Sequence, residues 1–327
     1  MKFLAATAMC ASLLLAAAPS AVAAGLGRLL LSLPDKPLAQ LAELDRPAPL
    51  ADHPDANAKG SRHDSHNRLY FKLTNTGFKQ DTFTVFSAAT GQVAYEARQL
   101  PRVSEAAPAP HADGVFSFVM LDIASDAGVF TVVDLAPPAR VLASSKGAVG
   151  QFLHWWMPDG SLARLHAHTG ELSTARVSLQ GPQQVIAWRT TGQVAPPLPG
   201  ALFGEAALSP RGDELLLSTV EARTRRTDLW MLDLRSGALQ RITRDGFLSF
   251  VMWSPDGALL LLRRDNVSHI GSTVQGQCSY WLAPRDAREV SGAVPGQPHA
   301  TLRQVLYDAG LSAPASLPCG RVSAWLR

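Results

Sequence analysis

Two short histidine pairs are the residues of this chain best spaced for chemistry. His63-Asp64-Ser65-His66 and His166-Ala167-His168 each bring two imidazoles close in sequence. Either loop could supply two ligands to a zinc or copper ion if a third came from elsewhere in the fold. No third ligand is identifiable, so both pairs read as polar loop residues and no metal is expected. A Gly-x-Ser-x-Gly nucleophile elbow is absent. Phosphate-loop and dinucleotide glycine fingerprints are absent too. The sequence therefore offers no catalytic residue and no cofactor.

Binding is the remaining chemistry. Arg223, Arg225 and Arg226 form the densest basic patch and could dock an acidic partner. His154 and Trp155 are a second candidate contact, an imidazole beside a large aromatic. The formal net charge is only +3, which excludes the strongly basic balance of a nucleic-acid binder.

The amino terminus bears on where such a partner would be met. Met1-Lys2 is a short basic start, Phe3 to Ala18 is rich in alanine and leucine, and Ala21-Val22-Ala23 suits signal peptidase. Residues 1–24 read as a secretory leader. A retained anchor is the alternative, because the apolar stretch approaches the ~20 residues that span a bilayer. Cys10 follows Thr7-Ala8-Met9, a poor lipobox, and should leave with the leader. Cys278 and Cys319 then remain, an even count that in an exported chain favours a disulfide over two free thiols.

Positioning such contacts requires a scaffold, and the turn signals define one. Asp113-Gly114, Pro158-Asp159-Gly160, Ser209-Pro210-Arg211-Gly212 and Ser254-Pro255-Asp256-Gly257 place their glycines 46, 52 and 45 residues apart. Blades of a β-propeller repeat at ~40–50 residues. Proline presets the first turn dihedral and glycine suits the turn's end. The run Thr227-Asp228-Leu229-Trp230-Met231-Leu232-Asp233-Leu234, then Ser236-Gly237 and Leu239-Gln240-Arg241-Ile242-Thr243, completes one blade. It resembles the WD-repeat-like blade of periplasmic TolB-type propellers, a blade also found in prolyl-oligopeptidase propellers. No hydrolase domain follows here, and Gly25 to Gly60 is too short for the amino-terminal TolB domain. Arg211 departs from the aspartate the family prefers, and Met157 from its serine. Thr90-Gly91 and Thr169-Gly170 also resemble turns of quinone-dependent propellers, but the tryptophan expected next is Tyr95 or missing.

The expectation is an all-β chain, a propeller of five to six four-stranded blades. Clear strands are Leu202–Leu208, Glu214–Val220 and Thr227–Leu234, then Phe247–Trp253, Ala258–Arg263 and Cys278–Ala283 with a short Arg288–Val290. A third blade runs from Gln151 to Trp188, ending in Val185–Trp188. The second holds Val115–Leu121, Val129–Leu135 and Ala139–Leu142, and the first Arg68–Leu73, Thr82–Ser87 and Gln92–Glu96. Pro101–Pro110 and Pro196–Gly200 read as inter-blade loops, and Thr301–Asp308 as a short helix. Trp230, Trp253 and Trp281 belong to the inter-blade core. Domains follow as a leader over 1–24, an extension over 25–66 able to contribute a closing strand, and a propeller over 67–327 with a carboxy-terminal closing strand.

The resemblance implies an exported, non-catalytic, monomeric scaffold that binds a protein or peptide in the bacterial cell envelope. A propeller enzyme, or a small-ligand or metal sensor with its site at the channel mouth, is the alternative. Inner strands that carry few acids favour binding: Leu202–Leu208 offers only Glu205.

Overall fold

The computed structural model describes residues 25–64, 68–77, 80–122, 127–148, 150–221, 226–265 and 278–327. The leader, Cys10, His66, Arg223 and Arg225 lie outside the described residues. Within them the elements are almost all strands, forming six blades built on four antiparallel strands each, one of which gains a fifth strand, and a small two-stranded hairpin. The sheets follow one another as blades, and each gap between neighbouring blades is filled by its own apolar cluster. The protein is a six-bladed β-propeller.

Both faces of a blade are covered, which explains the sequence pattern of its middle strands. Glu214–Glu221 places Leu215, Leu216 and Leu217 in full burial, and Leu259–Asp265 does the same with Leu260, Leu261 and Leu262. Such runs are continuously apolar because alternation is needed only where one face meets water. The outermost strand of blade three, Arg189–Gln193, is exposed at every residue. Trp253 donates its indole N–H to the Ala207 carbonyl of the neighbouring blade at 3.2 Å. Trp281 is 1% exposed in the cluster between blades four and five.

The turn from inner to second strand is built by its serine. Ser254 Oγ donates to Asp256 Oδ1 at 2.7 Å and accepts from the Leu259 N–H at 2.8 Å, and Gly257 follows at a φ of 69°. Blade four has Arg211 where that aspartate would sit. Asp213 takes over, accepting from Ser209 Oγ at 3.0 Å. The departure from the motif is thereby made good two residues on.

The two chain ends share the closing blade. Arg321–Leu326 is its inner strand, pairing with Arg28–Ser32, which in turn pairs with Gln40–Glu43 and through it Ala51–Asp52. Trp325 donates to the Leu26 carbonyl at 2.6 Å. Cys278 and Cys319 form a disulfide across a sequence separation of 41. Tyr280, beside it, donates to the Gly320 carbonyl at 2.5 Å. Closure of this kind leaves no unpaired edge at the ring seam.

Four local expectations are corrected. Pro101–Pro110 is not a loop, because Val103–Pro108 is the inner strand of blade two, with Pro108 at its end opposite Phe116, and Pro101 ends the strand before it. Thr301–Asp308 is not helical. Arg303–Gln304 is the outer strand of blade five and Leu306–Tyr307 begins a small hairpin, so tertiary pairing overrides the local pattern. Arg288–Val290 is not that outer strand, since only Val290 pairs, in a single bridge to Thr243. In blade one, Leu69–Gly77 is the second strand, and the inner position is held by Arg62–His63.

The segment between strands Glu171–Ala175 and Arg189–Gln193 departs most from expectation. Gln184–Val185 does not close blade three. It pairs in parallel with Arg140–Ala148 and becomes a fifth strand of blade two. The Ile186 N–H reaches the Ser144 carbonyl at 3.0 Å, and Arg140 donates to the Leu179 carbonyl. A strap from one blade therefore laps the edge of its neighbour.

Candidate ligand-binding recess between blades two and three

The strap also delivers Trp188 to the end of the two blades where inner strands begin. There the walls of blade two (Val119, Gly128, Phe130 and Ser145 to Gly147) meet Phe152, His154 and Arg164 of blade three around a recess of about 330 Å³, open mouth included. Phe152 and His154 share a face because they are two residues apart on the inner strand Phe152–Trp156. His154 pairs across the ladder with Arg164, and Phe152 with His166. Cross-strand pairing thus gathers residues that are distant in sequence.

Aromatic stacking fixes the site. His154 lies over Phe130 with ring centroids 4.1 Å apart and planes within 12°. The Arg164 guanidinium sits between two rings, 4.1 Å from Phe152 and 4.4 Å from Trp188. Each such contact contributes roughly 0.5–2 kcal/mol. The indole N–H of Trp188 is anchored to Ser145 Oγ at 3.2 Å, so the upper ring of this sandwich cannot swing away without losing a hydrogen bond.

Charge is not balanced in the recess. Arg164 Nε is buried and has no hydrogen-bond partner, and His154 Nδ1 is in the same position. Glu171 is near enough to act on Arg164, but its carboxylate accepts from Ser173 and Thr190, both at 3.0 Å. Lys146 stands exposed on the rim. Burial, with Arg164 beside it, holds His154 down to about 3, so the ring is neutral. The recess therefore carries two cations and an uncharged imidazole.

Other expected contact residues fall elsewhere. Trp155 is 7% exposed, in the core between blades three and four, with its N–H on Met157 Sδ. Its neighbour His154 faces the recess because alternate strand residues face opposite sides. Arg226 is exposed on blade four, 5.9 Å from the Phe247 ring. His166 and His168 stack near Phe152, but His166 Nδ1 accepts the backbone N–H groups of His168 and Thr169 and so caps that turn. His63 lies far off in blade one, stacked on Tyr70 with both ring nitrogens buried and unpartnered, and burial lowers it to about 4. Among the described residues no group of three potential ligands converges on a metal.

Sequence reasoning missed Arg164, Trp188 and Lys146, which no motif marks. It named the channel mouth and Glu205 but not Glu105, Arg62 or Arg321. Glu105 and Glu205 each follow a bulged residue, Ser104 and Gly204, on inner strands of blades two and four. Gly204 is needed there, because a Cβ would stand 2.9 Å from Val220 Cγ2. Surrounding protein pushes both carboxyls up; at Glu105, Arg62 opposes the rise and Glu205 adds to it. Arg321 is held down by the same burial, then by Arg62. All four side chains are open to solvent and come from non-adjacent as well as adjacent blades. Charged residues on inner strands of four blades therefore act on one another where the inner strands face.

These features define a closed propeller with a polar channel and one cationic, aromatic recess. No family model matches the chain, and no curated protein matches it. Solved structures with similar backbones include TolB from Acinetobacter baumannii, with 17% identity and a TM-score of 0.45, covering 79% of this chain and 66% of that one. The Myceliophteria thermophila Cps50 (Swd1) β-propeller domain gives 13% identity and a TM-score of 0.45 over 84% and 87%. Kuenenia stuttgartiensis hydrazine synthase gives 16% and 0.43 over 68% and 62%. The chain thus spans less than two thirds of the TolB and hydrazine synthase chains.

Proposed function

We propose that this chain is an exported, non-catalytic, monomeric propeller that binds a protein or peptide partner in the bacterial cell envelope, anchored at the recess between blades two and three. The observation that carries the reading is Arg164, held between two aromatic rings with a buried, unpartnered Nε. A buried polar group left unsatisfied is costly, and a pre-oriented guanidinium with no carboxylate in ion-pair contact is a group awaiting a ligand. Export is supported by the leader pattern of residues 1–24 and by the Cys278–Cys319 disulfide, which belongs to oxidising compartments. TolB-type blade motifs accord with this address.

The test is crosslinking in the periplasm of the native host, comparing the wild-type chain with Arg164→Met and Arg226→Ala. A partner captured by the wild type and by Arg226→Ala, but lost with Arg164→Met, supports the reading. Capture that ignores Arg164 removes the recess from it. A second reading, a small-ligand site in the channel, is favoured by Glu105 and Glu205. It predicts that Glu105→Gln, and not Arg164→Met, abolishes binding in a metabolite screen.

A further inference from the structure

Resting on that reading, the geometry points to the chemistry of the group the recess takes. We propose that it is a carboxylate site, receiving a terminal carboxylate whose apolar body lies along Val119, Phe130 and Phe152.

Four observations converge. The guanidinium of Arg164 is planar, presents a fork of donors, and is fixed by rings at 4.1 and 4.4 Å. Such a fork matches the two oxygens of a carboxylate. Lys146 adds a second positive charge on the same rim, and among the described residues neither cation has an ion pair. The one nearby acid, Glu171, acts on Arg164 without an ion pair, and its Oε1 accepts from Ser173 and Thr190. Finally, the walls are apolar or neutral: Val119, Phe130 with His154 stacked on it, and Phe152.

Shape and charge together disfavour a bare inorganic anion, which would leave the aromatic walls uncovered. They equally disfavour an uncharged apolar group, which would leave Arg164 unpaired in a drier site. A carboxylate on an apolar stem satisfies both. The stem could belong to a small organic acid or to the last residue of a polypeptide, and the chemistry at Arg164 is the same.

The test uses the protein from Gly25 onward, with Trp188 fluorescence and calorimetry as readouts. The probes are N-acetyl-phenylalanine, its amide, and one decapeptide ending in phenylalanine as free acid or as amide. The expected result is that each acid binds at least tenfold more tightly than its amide, with affinity falling as salt rises. Lys146→Ala, on the exposed rim, should weaken the acids several-fold with no change in melting temperature. Arg164→Met should bring acids and amides to the same affinity. If the decapeptide acid binds well and N-acetyl-phenylalanine does not, the carboxylate belongs to a polypeptide end. The reverse assigns it to small acids. Equal binding of acid and amide overturns the inference and leaves partner docking intact. Failure of every probe also overturns it, and the Arg164-dependent crosslink then decides separately whether partner binding stands.

Discussion

Replacing both Cys278 and Cys319 by alanine should lower the melting temperature by about 6 °C, by a route that leaves the native contacts of the closing blade in place. The bridge spans a sequence separation of 41. Chain-entropy arithmetic gives such a loop about 13 cal/mol/K, or about 4 kcal/mol at 25 °C. A chain of roughly 300 ordered residues unfolds with an entropy near 0.6 kcal/mol/K. Dividing the first energy by the second gives the shift. The native tail does not depend on the sulfurs alone. Arg321–Leu326 pairs with Arg28–Ser32, Tyr280 holds the Gly320 carbonyl, and Trp325 is 3% exposed in the same cluster as Cys278. The stabilisation should therefore act on the unfolded chain. The assay is calorimetry of the double variant beside the wild type, with circular dichroism to confirm an unchanged sheet content. A fall under 2 °C would refute the entropy argument, since the loop would then have cost nothing to open. A fall beyond 12 °C, or lost strand signal at 25 °C, would show instead that the bridge holds the blade together in the folded state.

Other predictions concern charge and close packing. Surrounding protein desolvates the solvent-open Glu105 and pushes its carboxyl up, so the folded state resists ionisation and loses stability as pH rises above the unfolded value near 4.5. Glu105→Gln should melt higher than wild type at pH 7 and equally at pH 3.5, by fluorimetry across that range. His154 is held at about 3 against 6.5 unfolded. Its stabilisation is full above pH 6.5 and fades as pH falls, by up to about 1.4 kcal/mol per unit. His154→Phe, which keeps the stack on Phe130, should flatten the loss of stability between pH 6.5 and 4.5, and a slope identical to wild type would sink that account. Gly170 has a φ of 72°, and a Cβ there would stand 1.7 Å from the Val194 carbonyl oxygen. Gly170→Ala should cost more than 2 kcal/mol in urea titrations, whereas Gly181→Ala, with nothing within 4 Å of its Cβ, should cost only its own backbone strain.

Much of the propeller was legible in the chain because its signals are local. A Ser-Pro-x-Gly turn, an apolar run and a Ser-Gly hairpin lie within one repeat, and each acts through dihedral preference or burial of adjacent residues. Blade four carried all three signals and kept its strand order, and blade five kept its three inner strands. The cysteine pair was also readable, since an even count in an exported chain leaves little choice. Local signals faded where strands are short or proline-flanked. Val103–Pro108 looked like a linker because its partner strand, not its own residues, makes it a strand.

Of the recess only His154 was legible, and the reason is geometric. Phe130, His154, Arg164 and Trp188 come from four strands or connections of two blades, and nothing in their spacing marks them as neighbours. Antiparallel register set His154 opposite Arg164, and the parallel pairing of Gln184–Val185 carried Trp188 across from blade three to blade two. His154 was singled out beside Trp155, yet only the pleat decides which of the two faces the recess and which the core. By itself the sequence determined the repeat and the turns, because those rest on preferences of residues close in the chain, and its cysteine count pointed to the bridge. Tertiary structure alone settled the blade number at six, brought Glu105 together with Glu205 and left a guanidinium without an ion pair between two rings, because those depend on which distant strands come to lie side by side.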